Sequence, residues 1–170
     1  MKFRLLCLVS FVLAINGFLL GQKLSMPELE ILTGAWEGEM IIYNYDTGFS
    51  ETKTAHLFIQ PKNSREITMI YRYPSDSENV SQTHLSLKKN GSKIGKHDIV
   101  AKHIGKNESL VVKTEGSGKI EWQKVKFYYT YHIGAEEFSI KREIHFLEQD
   151  IHVTANDFLF KRAEPITKQR

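Results

Sequence analysis

From residue 34 to residue 162 apolar and polar side chains alternate, the pattern of strands with one face on a core and the other in water. Segment 36–45 sets Trp36, Gly38, Met40 and Ile42 against Glu37 and Glu39. Segment 51–60 carries Leu57 and Ile59 against His56 and Phe58, so both of its faces are partly apolar. Segment 66–73 alternates Ile67, Met69, Tyr71 and Tyr73 with Glu66, Thr68, Ile70 and Arg72, and 82–88 alternates Thr83, Leu85 and Leu87 with His84, Ser86 and Lys88. The longest clean case is 123–133, with Val125, Phe127, Tyr129, Tyr131 and Ile133 on one side. Segment 136–147 follows with Phe138, Ile140, Arg142, Ile144 and Phe146.

Turn residues punctuate these segments: Asp46-Thr47-Gly48, Pro61 to Ser64, Pro74-Ser75-Asp76, Asn90-Gly91, Gly116-Ser117-Gly118, Gly134-Ala135 and Gln149-Asp150. Asn90-Gly91 is the strongest, because a type I′ hairpin needs positive φ at both central residues. In the last segment Ile151, Val153 and Ala155 share one parity and Phe158 and Phe160 the other, so a bulge near Asn156-Asp157 is expected. Before the strands, Ser25 to Thr33 reads as a turn or two of helix capped by Ser25, with Pro27 in the first turn and Glu28 and Glu30 favourable there. Leu29 and Leu32 fall on one side of it. The expected fold is therefore all-β: an antiparallel up-and-down barrel of about 8–10 strands behind a short N-terminal helix, closed to remove its edges.

Composition narrows the context. The chain has 170 residues, 41% hydrophobic and 25% charged, which suits one globular domain. Residues 1–21 place Lys2 and Arg4 before an apolar run from Leu5 to Leu20, the pattern of a secretory signal peptide cleaved after Gly17 or Gly21. The run is too short for a stable membrane span. Export to a periplasmic or extracellular compartment is expected, with a barrel domain over 22–162 and a flexible tail over 163–170. Removing Lys2 and Arg4 turns 23 bases against 20 acids into 21 against 20, so nothing draws the mature chain to nucleic acid. Cys7 is the only cysteine, which leaves a mature chain without thiols, expected to be a monomer stabilised by its core.

Gly34-Ala35-Trp36, placed after a short helix at the start of the first strand, resembles the Gly-x-Trp signature of lipocalins and other calycin-type barrels. The resemblance implies a Trp closing one end of the barrel under the helix, against an Arg from late in the chain, here Arg142 or Arg162. The Thr-Asp-Tyr triplet and the disulfide of that family are missing. The chain also looks like small exported bacterial barrels, a likeness that carries no activity.

Candidate chemistry is sparse. The seven histidines, His56, His84, His97, His103, His132, His145 and His152, form no recognised metal spacing. His84, His132 and His145 fall on polar faces, whereas His97 and His103 share a parity. No nucleophile elbow, paired-carboxylate site or phosphate loop occurs, so no cofactor and no catalytic residue is assigned. The inward polar set is Tyr71, Tyr73, Tyr129, Tyr131 and Arg142, with Trp36 at one end. A few hydroxyls and one cation in an apolar wall are how a small-molecule pocket is built, although small barrels also fill themselves with aromatic rings. The expected function is non-catalytic binding of a small, partly apolar ligand. The alternatives are a filled barrel acting through loops 46–50, 74–81 and 103–107, or a haem-binding or enzymatic barrel.

Overall fold

The computed structural model describes residues 23–164, apart from the side chains at positions 76–79. The expected signal segment, Cys7 and most of the expected tail lie outside the described residues.

A five-residue helix, α1 (Met26–Glu30), precedes ten strands: β1 (Gly34–Tyr43), β2 (Ser50–Asn63), β3 (Glu66–Tyr73), β4 (Asp76–Lys88), β5 (Lys93–Ile94), β6 (His97–Ile104), β7 (Leu110–Ile120), β8 (Gln123–Ile133), β9 (Glu137–Phe146) and β10 (Ile151–Arg162). Each pairs antiparallel with its neighbours in sequence, and β10 pairs with β1 to close the barrel. Helix α1 is set by a capping box: the Ser25 N–H and hydroxyl both donate to Glu28. Leu29 and Leu32 are fully buried beneath it.

Directly opposed residues face the same side, so the register stacks the inward side chains in rings. Gly38, Phe160 and Phe138 share one level, and Met40, Phe158, Ile140, Tyr131 and Val112 the next. Above them come Ile42, Asn156, Arg142, Tyr129, Thr114 and Ile99, and then Val153, Ile144, Phe127 and Gly116. The main core fills the helix end, from Trp36, Leu57 and Ile59 across to Ile133 and Phe138. A smaller cluster of Val125, Phe127, Ile144, Phe146 and Ala155 packs one side of the opposite end.

Three details of the strand and turn assignment differ from the sequence pattern. Gly116-Ser117-Gly118 is not a turn but the inner part of β7, paired with Lys126 and its neighbours in β8. The chain reverses instead at Glu121 and Trp122, both with positive φ (47° and 74°). Strand β2 runs through Pro61 to Asn63, which is possible because its pairing with β1 already stops at Ile59. The Asn90-Gly91 connection is a four-residue turn between Lys88 and Lys93, with Lys89, Asn90 and Gly91 all at positive φ. Gly91 is needed twice over there, since a Cβ would meet the Leu24 carbonyl oxygen at 2.1 Å.

Bulges decide the remaining faces. The last strand shifts register between Thr154 and Asn156, one residue before the expected place, and this turns Asn156, Phe158 and Phe160 inward. A second shift lies between Ile99 and Ala101. It separates His97, which is buried, from His103, which is exposed, so these two histidines do not share a face.

Candidate functional site

The closed end of the barrel is built by Gly34, Trp36 and Arg162. The Trp36 ring is 1% exposed and its indole N–H donates to the Leu32 carbonyl at 2.8 Å. The Arg162 guanidinium lies 4.2 Å from that ring's centroid. It also donates to the carbonyls of Thr33 (3.0 Å), Ile31 (2.7 Å) and Ala135, so one side chain ties the helix exit to the β8–β9 loop. Gly34 has φ of 130° and a Cβ there would touch Arg162 at 3.0 Å, which accounts for the glycine of the Gly-x-Trp pattern. Lys102 points inward on this end and reaches Glu28 at 2.6 Å and the Lys23 carbonyl at 2.7 Å. Burial raises the Glu28 pKa, but the Lys102 and Ser25 hydrogen bonds outweigh it and hold the carboxyl below its ordinary value. This end is a plug.

Above the plug the expected polar set separates into levels. Tyr71 and Tyr131 are buried at 6% and 7% exposure, and burial pushes both phenols well above the ordinary range. They remain protonated and act as packing groups with a hydroxyl. Tyr71 packs on Phe158 and Phe160, and Tyr131 stacks on Tyr129 with centroids 6.1 Å apart. Arg142 sits directly opposite Tyr129, with its guanidinium 5.1 Å from the Phe127 centroid and 6.0 Å from that of Tyr129. The aromatic partners of Arg142 are thus these rings, while Trp36 belongs to Arg162.

Two residues outside the expected ligand set, His97 and Thr114, pack against this level. His97 packs edge-on against Tyr129 at 4.8 Å, and Thr114 stands opposite Tyr129 at 1% exposure. Gly116 makes room for the imidazole, since a Cβ would lie 2.5 Å from His97 Nδ1. Burial, then the charges of Lys96 and Arg142, hold the His97 pKa below its ordinary value, with Asp98 opposing. Three buried polar atoms here lack a hydrogen-bond partner among the described residues: His97 Nδ1, Thr114 Oγ1 and Arg142 Nε. The Tyr131 hydroxyl is close enough to Thr114 to feel it, but without the geometry of a hydrogen bond. Buried polar groups are normally satisfied, so Thr114 and Arg142 on this level, with His97 on the next, are groups with hydrogen-bonding capacity to spare.

The mouth opens at the far end. A cavity of about 960 Å³ lies between the β1–β2 and β3–β4 hairpins, lined by Met40, Ile42, Lys53, Tyr73, Val80 and Ser81 among others. Tyr73 is the only member of the expected set on its wall. Ile42 lines the cavity and belongs to the same ring of residues as Arg142 and Thr114. Lys53 is held 3.3 Å from Glu51. The expected residues therefore come together as Tyr129, Tyr131 and Arg142 on one wall, with Tyr73 across the mouth and Trp36 and Tyr71 lower in the packed part.

No protein-family model matches the chain, and no curated protein matches it in sequence. Solved structures do. One is Rv2717c from M. tuberculosis, at 12% identity and a TM-score of 0.55, over 82% of this chain and 97% of that one. The shared fold is a closed, lipocalin-like antiparallel barrel. The lipocalin-like barrel is also similar to the S-type phycobiliprotein lyase CPES from Guillardia theta, at 13% identity and TM-score 0.48 over 86% of this chain and 97% of that one. A third similar structure is a point mutant of the fluorescent protein UnaG, at 12% and 0.43, over 81% and 99%. At these identities the likeness is one of architecture.

Proposed function

We propose that this barrel binds a small, partly apolar molecule with an anionic or carbonyl end, and does no chemistry on it. The observation that carries the reading is the group of buried polar atoms without a partner among the described residues, His97 Nδ1, Thr114 Oγ1 and Arg142 Nε, on the rings that Ile42 joins to an open mouth of about 960 Å³. A ligand's apolar part fits against Met40, Ile42 and Tyr73, and its polar end is drawn towards Arg142. A cation against aromatic faces in a dry wall gains more from an anion than it does in water.

The test is a fluorescence titration with 1-anilinonaphthalene-8-sulfonate, an aromatic anion. The native chain is expected to bind it saturably at one equivalent, and Arg142→Gln to weaken it by about tenfold or more, as the loss of a charged hydrogen bond does. Equal affinity in the variant, at an unchanged melting temperature, contradicts the reading.

A second reading has its own observation. Phe49, Val80 and Ile104 are 78%, 53% and 67% exposed, one on each of the segments 46–50, 74–81 and 103–107. If those loops bind a protein partner, replacing Phe49 and Ile104, which do not line the mouth, by Ser weakens the interaction and leaves dye binding intact. Export through the N-terminal segment is proposed with either reading, on the charged-then-apolar pattern of residues 1–21. Its check is the mass of the chain isolated from its own source, which should begin at Phe18 or Gln22 and not at Met1.

A further inference from the structure

We propose that the β9–β10 hairpin carries a site for a divalent transition metal, formed by His145, Asp150 and His152 on the outer wall of the barrel. The argument begins with the register. His145 on β9 and His152 on β10 are directly opposed, so both imidazoles leave the same face. Their rings stack with centroids 3.7 Å apart and planes 18° from parallel. Asp150 is the last residue of the connecting turn and has φ of 54°. Its carboxylate turns back over the sheet, with Oδ1 2.8 Å from His145 Nε2.

The three donor atoms lie within 4.8 Å of one another. An ion held by nitrogen and oxygen at about 2.1 Å in tetrahedral geometry needs donors about 3.4 Å apart. Rotation of the exposed Asp150 and His152 side chains, which unstacks the two imidazoles, brings the donors to converge without moving the sheet. Two imidazole nitrogens and one carboxylate oxygen suit Zn²⁺, Cu²⁺ or Ni²⁺, whereas Ca²⁺ and Mg²⁺ prefer sites made wholly of oxygen. The surrounding charges do not oppose a cation. Lys126, opposite His145 on β8, is held by Glu115 at 2.6 Å, and Lys141 by Glu143 at 2.9 Å. Tyr128 stacks on His152 at 6.4 Å and limits the ring's freedom.

Exposure fits the proposal as well. His145 keeps 16% of its side chain exposed and Asp150 88%, so one ligand is fixed by the wall and the opening faces solvent. Among the described residues, the other outward histidines lack this arrangement. His56 and His84 each stand near a single carboxylate, Glu37 at 3.7 Å and Glu66 at 3.6 Å. The site faces outward at the open end of the barrel and shares no residue with the lining of the mouth, so it stands or falls apart from the ligand reading.

The test uses the full chain without an affinity tag, freed of metal by a chelator and titrated with Zn²⁺ by calorimetry. The expected result is one saturable equivalent, together with a melting temperature that rises with added Zn²⁺. His152→Ala and His145→Ala should each weaken binding by about tenfold or more, because each removes one of three bonds to the ion. His56→Ala should leave it unchanged. His152→Ala alters an exposed side chain, so its metal-free melting curve should match the native one. No saturable binding by 100 µM Zn²⁺, about a hundredfold above a micromolar site, overturns the proposal. So does a one-equivalent isotherm that survives His152→Ala.

Discussion

At the scale of single residues, the two arginines of the interior do different work because of what surrounds them. Arg162 meets three carbonyls and an indole face and is fully employed in closing the barrel. Arg142 meets only aromatic faces and keeps Nε without a partner. His97 packs against Tyr129 of that level, and its pKa makes a testable statement about stability. The folded pKa lies below the unfolded value of about 6.5, so the unfolded chain takes up the proton first. The stability His97 contributes is therefore complete above about pH 6.5 and is lost as the pH falls below it. The melting temperature should begin to drop as the pH falls below about 6.5, before carboxylates with lowered pKa such as Glu28 protonate. His97→Phe should flatten that part of the profile. A native curve that is flat as the pH falls below about 6.5, or an equal slope in the variant, contradicts the assignment.

At the scale of elements, the β7–β8 hairpin shows how far a strand pattern can be read. Glu121 and Trp122 make a two-residue turn in left-handed conformation between Ile120 and Gln123, with Trp122 91% exposed. Left-handed backbone costs about 1–2 kcal/mol for an L residue with a side chain. Replacing the pair by Asn-Gly should stabilise the fold by about 1–2 kcal/mol, seen as a higher urea midpoint at unchanged slope. An unchanged or lower midpoint means that the Trp122 side chain stabilises the turn despite its exposure.

The same hairpin explains what the sequence concealed. Strands β1, β3, β8 and β9 are legible because their inward positions are filled by apolar or aromatic side chains. Strand β7 is not, because its inward positions include Thr114, Gly116 and Gly118. The space a Cβ would take at the two glycines is occupied by the His97 and Phe127 rings. A glycine pair that reads as a turn is here the imprint of aromatic side chains from neighbouring strands. Strand β6 is hidden for another reason, the bulge at Val100 that reverses its parity and carries His97 and Lys102 inward. The candidate site was legible to the same extent: Tyr129, Tyr131 and Arg142 lie on clean strands and emerge from alternation. His97 and Thr114 could not, and the His145–Asp150–His152 group depends on a cross-strand register that no local spacing reveals.

At the scale of the whole molecule, the barrel is asymmetric along its axis. One end is sealed by α1, Trp36 and Arg162 around a dense core, and the other opens between the β1–β2 and β3–β4 hairpins. The unpartnered polar level lies between the two, which is where a ligand entering from the mouth would stop. Tightening that level should therefore affect binding more than folding. The most direct measurement is native mass spectrometry of the protein isolated from its own source, beside the same sample denatured. The account predicts a non-covalent adduct of small-molecule mass, present only in the native spectrum, at one per chain, and diminished in Arg142→Gln. A native spectrum of the bare chain, unchanged when the dye anion is added, would contradict it.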